Sequence, residues 1–228
     1  MKKYSHLLAG LMVLLAFSAL ADSPPAAPSP VLQALQQKMA SVRTVYLEFN
    51  QERVLKLFSE PLKSEGVMLI ERPDRIRWET TAPYQSILMG DQKSVAQFEF
   101  DDGKWQKLKL GFPQLLQRLM KQMALMNQGK MDALVSDYNI SVTTNATTTV
   151  LLMTPKDENV RGMLSSLEIH LPPDLSTTEE VVMNEPNGDL TRITFHDEKR
   201  DASYPPGTFD QAKPLDLAAV KAAVKNAP

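Results

Sequence analysis

The apolar residues of this chain run at helical spacing, then alternate, then return to helical spacing and alternate again. Val31, Leu32, Leu35, Met39 and Val42 follow Ser29-Pro30 in steps close to a helical turn, which predicts a first helix over 31–42. From Thr44 to Arg53 the period falls to two. Val45, Leu47 and Phe49 oppose Thr44, Tyr46, Glu48 and Asn50, the mark of a strand with one buried face. Further strands are predicted over 62–71, 75–80, 85–89, 93–100 and 104–110, with Gly90-Asp91 and Asp102-Gly103 as turns. Leu115, Leu116, Leu119, Met120, Met123 and Met126 then form one stripe, predicting a helix over 112–126 that Asn127 and Gly129 stop. A short helix is placed over 130–135. Strands resume over 138–143, 148–153, 166–170, 179–184 and 189–195, with Asn187-Gly188 as a hairpin turn, and Tyr204-Pro205-Pro206-Gly207 ends the sheet.

These elements describe an α+β protein: one large, strongly curved antiparallel sheet of about ten strands with helices on one side. The stripes over 31–42 and 112–126 are the natural cover for its inner face. Residues 214–228 carry an Ala/Val/Lys/Leu pattern expected to form a short amphipathic helix.

One hairpin stands out, Glu71 to Pro83, with the sequence ERPDRIRWETTAP. Pro73 has no N–H to offer a ladder, so it ends a strand with Arg72 at the corner. Ile76 and Trp78 then share one face, and Arg75, Arg77 and Glu79 the other. Taken alone, this is an ordinary hairpin with a solvated charged face.

Composition narrows the classes. Lys2 and Lys3, the apolar run Leu7 to Phe17 and the small-x-small site Ala19-Leu20-Ala21 read as a cleaved secretory signal over 1–21. Residues 22–30, DSPPAAPSP, read as an extended lead-in to a single domain over 31–213. The 228 residues include no cysteine, which excludes disulfides, thiolate metal sites and an acylated N-terminal cysteine. A secreted chain without disulfides points to a bacterial periplasm. With a net charge of −2 and no basic cluster, nucleic acid is not expected as a partner.

Candidate chemistry is sparse. His170 sits in a predicted strand and His196-Asp197-Glu198 at a strand end, neither in a metal-binding spacing, and no metal or cofactor is expected. Asp101-Asp102-Gly103 lacks the later ligands of a calcium loop. No nucleophile elbow, phosphate loop or dinucleotide fingerprint occurs, so no catalytic set is visible. The methionines point elsewhere. Met120, Met123 and Met126 share the middle helix, while Met68 and Met89 lie in neighbouring predicted strands. Flexible, polarisable side chains suit either plain core packing or a surface that accepts apolar groups of variable shape.

The order of motifs adds a resemblance. Phe49-Asn50-Gln51, Ser64-Glu65-Gly66, Arg72-Pro73 with Trp78, and Gly188-Asp189-Leu190-Thr191-Arg192-Ile193-Thr194-Phe195 follow one another as in the LolA family, the periplasmic carriers of outer-membrane lipoproteins. The resemblance spans roughly 31 to 210 and implies an unclosed β-barrel under a helical lid, with an apolar cavity for acyl chains. It implies that Arg72 ties the lid shut through hydrogen bonds to backbone carbonyls. We expect Arg72 to latch the face Leu115 to Met126 over a pocket lined by Phe49, Leu69, Ile76, Trp78 and Met89, with Leu116, Met120 and Met123 facing it from the helix. Which strand face meets cargo stays open, because a one-residue slip exchanges the faces.

The partners so implied are acylated lipoproteins or another lipid, an inner-membrane donor complex and an outer-membrane acceptor, with the carrier a monomer. The middle segment GFPQLLQRLMKQMALMNQGKMDALVSDY is fuller than in the founding type, which leaves the cargo open between a lipoprotein, a glycolipid and another lipid. A periplasmic lipid or stress sensor that regulates a membrane partner is the alternative, and an enzyme of envelope metabolism a third.

Overall fold

The structure is a computed structural model and describes residues 29–91, 93–109, 121, 124, 125, 128–211 and 216–225. The expected signal, the lead-in up to residue 28 and most of the 112–126 helix, including Leu116, Met120 and Met123, lie outside the described residues.

A helix α1 (Pro30–Ala40) leads into six strands: β1 (Thr44–Val54), β2 (Leu62–Glu71), β3 (Arg75–Ala82), β4 (Ser86–Gly90), β5 (Val95–Asp101) and β6 (Lys104–Lys107). Later come α2 (Met131–Asp137), β7 (Tyr138–Thr144), β8 (Thr149–Pro155), α3 (Glu158–Arg161), β9 (Ser166–Leu171), β10 (Glu180–Asn184), β11 (Leu190–Arg200) and α4 (Leu217–Val224). The caps are local. Pro30 opens α1 with a φ already set for a helix, and Asp216 accepts from the Ala218 N–H at 2.8 Å to start α4.

The eleven strands form one antiparallel sheet in the order β6-β5-β4-β3-β2-β1-β11-β10-β9-β8-β7. Two meanders, β1 to β6 and β7 to β11, are joined where β1 pairs β11, Phe49 opposite Phe195. Among the described residues no ladder joins β6 to β7, so the sheet is not closed into a barrel.

Pairing registers divide the side chains between two faces. The inner face, which carries α1 and α2, holds two apolar clusters. In one, Leu32 and Leu35 of α1 and Met131 and Leu134 of α2 pack on Leu151, Met153 and Ile169. In the other, Val42, Val45, Leu47, Met68, Ile70 and Ile76 pack together beside Trp78, Leu88 and Phe195.

The opposite face of β1 to β3 is covered as well, by the chain after β11. Val220 is fully buried and Val224 nearly so, against Tyr46, Val67 and Leu69. Each such side chain contributes roughly 1.5–3 kcal/mol by leaving water. The Tyr204 hydroxyl donates to the Val45 carbonyl at 2.7 Å, and the Thr44 hydroxyl to the Ala202 carbonyl at 2.6 Å.

This covering layer corrects the sequence reading of β3. Its polar side was expected to be solvated, yet Arg77 is 0 % exposed and Glu79 5 %. Arg77 donates through Nε to Glu79 Oε2 at 2.9 Å and through a terminal nitrogen to the Thr208 carbonyl at 2.9 Å. The partner carbonyl lies 131 residues away in sequence, beyond the reach of any local pattern.

Candidate functional site

On the inner face, Phe49 of β1 meets Trp78 of β3 with ring centroids 4.3 Å apart, and Phe195 of β11 meets the same indole edge-on at 6.5 Å. Phe49 is buried, while Trp78 and Phe195 are half-buried and offer apolar surface to the space above the sheet. Gly66 of β2 makes this seat. A Cβ there would stand 1.9 Å from the Glu79 carbonyl oxygen and 2.8 Å from Phe49 Cζ. Only a bare backbone lets the Phe49 ring lie between its neighbours, which gives the Ser-x-Gly pattern a physical reason.

Ile76 shares this face and is fully buried beneath the helices' side of the sheet. Leu69 and Met89 do not. Leu69 opposes Tyr46 and packs under α4, and Met89 packs with Ile87, Ala96 and Phe98. Both therefore stand on the face opposite Phe49, Ile76 and Trp78. The expected pocket of five residues splits because strand neighbours alternate sides, and both sides of these strands are buried. Apolarity alone could not tell one buried face from the other. Phe195 was missed as a site residue, although it was the last residue of the quoted motif.

Arg72 sits at the β2–β3 corner, after which the Arg72-Pro73 peptide is cis. Its guanidinium donates to the carbonyls of Met39 and Ala40, the latter at 2.9 Å, at the C-terminus of α1. The Met39 carbonyl also accepts from the N–H groups of the cap residue Ser41 and of Val42, and a cation at this end of α1 complements the helix dipole. Burial lowers the Arg72 pKa, and the Asp201 carboxylate opposes that shift. The Gln128 side chain donates to the Pro73 carbonyl, so the corner is held to two segments on the helix side. Nothing in the sequence singled out Gln128.

Glu48, His196 and Asp197 bring ligand atoms within 4.8 Å of one another, but Glu48 already pairs with Lys221 of α4 at 3.2 Å and accepts from the Tyr46 hydroxyl at 2.7 Å. His196 lies against Asn50 at 3.2 Å and Asp197 at 2.9 Å. His170 stands 3.5 Å from Glu168 and 4.0 Å from Glu180. An open pocket of about 400 Å³ reaches Phe195 from beside Thr177, Glu198 and Arg200.

Burial pushes the Glu48 carboxyl up, but the Tyr46 and Lys221 hydrogen bonds outweigh it and hold it below the ordinary 4.5. A depressed carboxyl stabilises the fold above its unfolded value and loses that contribution as pH falls through the folded one. The protection of α4 amides, taken relative to their intrinsic exchange rate at each pH, is therefore expected to fall below pH 4.5, and Glu48→Gln to flatten that dependence.

A family model described as "Outer membrane lipoprotein carrier protein LolA" matches residues 40–212, most of the chain. The chain belongs to the LolA family. A curated relative named outer-membrane lipoprotein carrier protein, from Pseudoalteromonas translucida, is 23 % identical over 218 residues, covering 94 % of both chains. Another of that name, from Chromohalobacter salexigens, is 24 % identical over 72 % of this chain and 74 % of its own. Among solved structures, a LolA superfamily protein from Nitrosomonas europaea aligns over 79 % of this chain and 98 % of its own, at 11 % identity and a TM-score of 0.42. The MucA/MucB complex of Pseudomonas aeruginosa aligns over 78 % and 59 %, at 17 % identity and a TM-score of 0.36. The family is described as one of lipoprotein carriers. The aromatic seat, Gly66 and Arg72 all fall inside the matched span, and α4 falls outside it. No helix among the described residues is long and apolar enough to cross a membrane.

Proposed function

We propose that this LolA-family chain is a periplasmic carrier that holds the acyl chains of lipoproteins against the inner face of its sheet. It takes them from an inner-membrane donor and yields them to an outer-membrane acceptor, as a monomer and without a covalent step. The observation that carries this reading is the aromatic seat of Phe49, Trp78 and Phe195, half open on a face otherwise packed with aliphatic side chains. Leu116, Met120 and Met123, which lie outside the described residues, are part of the same proposal as apolar contacts for the cargo.

Acyl burial supplies about 0.8 kcal/mol per CH₂. A short stretch of chain therefore outweighs the two Arg72 hydrogen bonds, each worth roughly 1.5–3 kcal/mol when the donor is charged. Arg72 thus acts as a latch that favours the empty, closed form and helps expel cargo. Native mass spectrometry of protein purified from periplasm tests the reading. A co-purifying acylated protein supports it; free lipid as the sole passenger transfers the role to another lipid, and an empty carrier tightly bound to a protein partner replaces it with a sensor.

Arg72→Leu removes contacts made only by the closed form, so the population shifts toward the loaded one. Release to acceptor vesicles is expected to slow by about ten-fold or more, the consequence of losing about 1.4 kcal/mol. Unchanged uptake and release, followed with a fluorescent acylated peptide, would remove the latch role.

A further inference from the structure

We propose that one end of the sheet docks on a lipid bilayer, with the tip of the β1–β2 hairpin as its apolar anchor. The registers place the β1–β2, β3–β4, β5–β6 and β10–β11 turns at the same end of the strands, because Arg53 opposes both Leu62 and Thr191, and Ser86 opposes both Thr80 and Glu99. The approach to β9 joins them, since Ser166 opposes Asn184.

Most of the large apolar side chains exposed among the described residues lie at that end, Leu152 on the body of β8 and Val135 of α2 being the others. Leu57 is 94 % exposed and Phe58 57 %, both in the β1–β2 tip; Leu62, Tyr84, Phe100 and Met163 extend the same end. At the opposite end, where Arg72 and the β4–β5 and β7–β8 turns lie, no large apolar side chain is exposed among the described residues. Such side chains cost free energy in water, and the gathering of most of them, with the most exposed of all, at one end marks a contact surface.

The tip is held in position. The Lys56 N–H donates to Asp189 Oδ1 at 2.9 Å, and the Phe58 N–H to the Leu55 carbonyl at 2.9 Å. Gly188 keeps room for the Lys56 side chain, since a Cβ there would meet its Cε at 2.3 Å. Leu57 and Phe58 thus project from a fixed turn.

A bilayer is the occupant the arrangement fits. The exposed side chains come from separate loops spread along strand ends, and a fluid apolar layer can take all of them at once. A protein partner would want one contiguous, complementary patch. Charge does not favour an acidic or a basic protein either. Arg53 is paired with Glu185 at 3.5 Å and Lys63 with Glu52 at 3.1 Å, and the turn itself carries one lysine, Lys56, and one glutamate, Glu60. Contact is therefore made by apolar insertion, with the lysine stems lying along the interface. This inference concerns where the carrier sits, and does not require that its cargo be a lipoprotein.

Flotation of the cargo-free chain with vesicles of phosphatidylethanolamine and phosphatidylglycerol tests it, with phosphatidylcholine vesicles as a second surface. Both vesicle types are expected to carry the protein, with little loss at high salt. Leu57→Ser with Phe58→Ser is expected to reduce the bound fraction at least ten-fold, while Leu152→Ser, exposed on the body of β8, leaves it unchanged. Thermal melts of the three proteins exclude unfolding as the cause. Equal flotation of the double variant and the parent, or no flotation of the parent on either surface, overturns the proposal; capture of a protein at the tip in place of vesicles does so too. Cargo loading of the double variant, read separately by native mass spectrometry, keeps a failure here distinct from a failure of the carrier reading.

Discussion

Arg77→Met is expected to destabilise the protein by about 3–5 kcal/mol, because it strands a buried carboxylate. Arg77 has no exposed side-chain surface and Glu79 retains only 7 %. The guanidinium also holds the Thr208 carbonyl, which ties the chain after β11 to the sheet. The Glu79 carboxyl is already raised above its ordinary 4.5 by burial, with the Arg77 charge and hydrogen bond pulling it back. Without Arg77 it rises further and takes up a proton more readily. A raised carboxyl costs stability above its folded value and ceases to do so as pH falls through it. Urea denaturation should therefore show the deficit shrinking on acidification, starting above pH 4.5, and returning as pH rises. Replacing both residues, Arg77→Met with Glu79→Leu, is expected to recover most of the loss. A double variant as unstable as the single one would assign the effect to packing instead.

Gly66→Ala is expected to cost about 3 kcal/mol or more and to weaken cargo binding with it. The new methyl would sit 1.9 Å from a backbone oxygen of β3, which a rotamer change cannot relieve. Either the β2–β3 ladder opens or the Phe49 ring leaves its place over Gly66. The second outcome separates Phe49 from Trp78 and spoils the half-open aromatic seat. Chemical denaturation gives the first number, and tryptophan fluorescence with a bound acyl probe the second. A stable variant with native probe affinity would mean that the seat does not bind acyl chains.

The two substitutions differ in how far the sequence foretold them. Ser64-Glu65-Gly66 was recognised as a motif, although its reason, a ring from the neighbouring strand, became visible only with the register. Arg77 was assigned to a solvated face, since its partner carbonyl belongs to residue 208. Likewise Leu69 and Met89 were grouped with Phe49, Ile76 and Trp78 on apolarity, although they lie across the sheet from them. The corner at Arg72 was legible from the missing N–H of Pro73, but that its hydrogen bonds reach Met39 and Ala40 of α1 was not.

By itself the sequence determined the order and kind of nearly every element. Strand and helix periods and turn residues are local properties, and β1 and β2 run over 44–54 and 62–71 where alternation placed strands over 44–53 and 62–71. It also determined the family, through motifs kept in order. Only the tertiary structure decided which buried face is the inner one, what covers the other, and that most of the exposed large apolar side chains among the described residues share one end. Those outcomes depend on contacts between residues more than a hundred positions apart, Phe49 with Phe195 and Arg77 with Thr208, whose pairing no periodicity encodes.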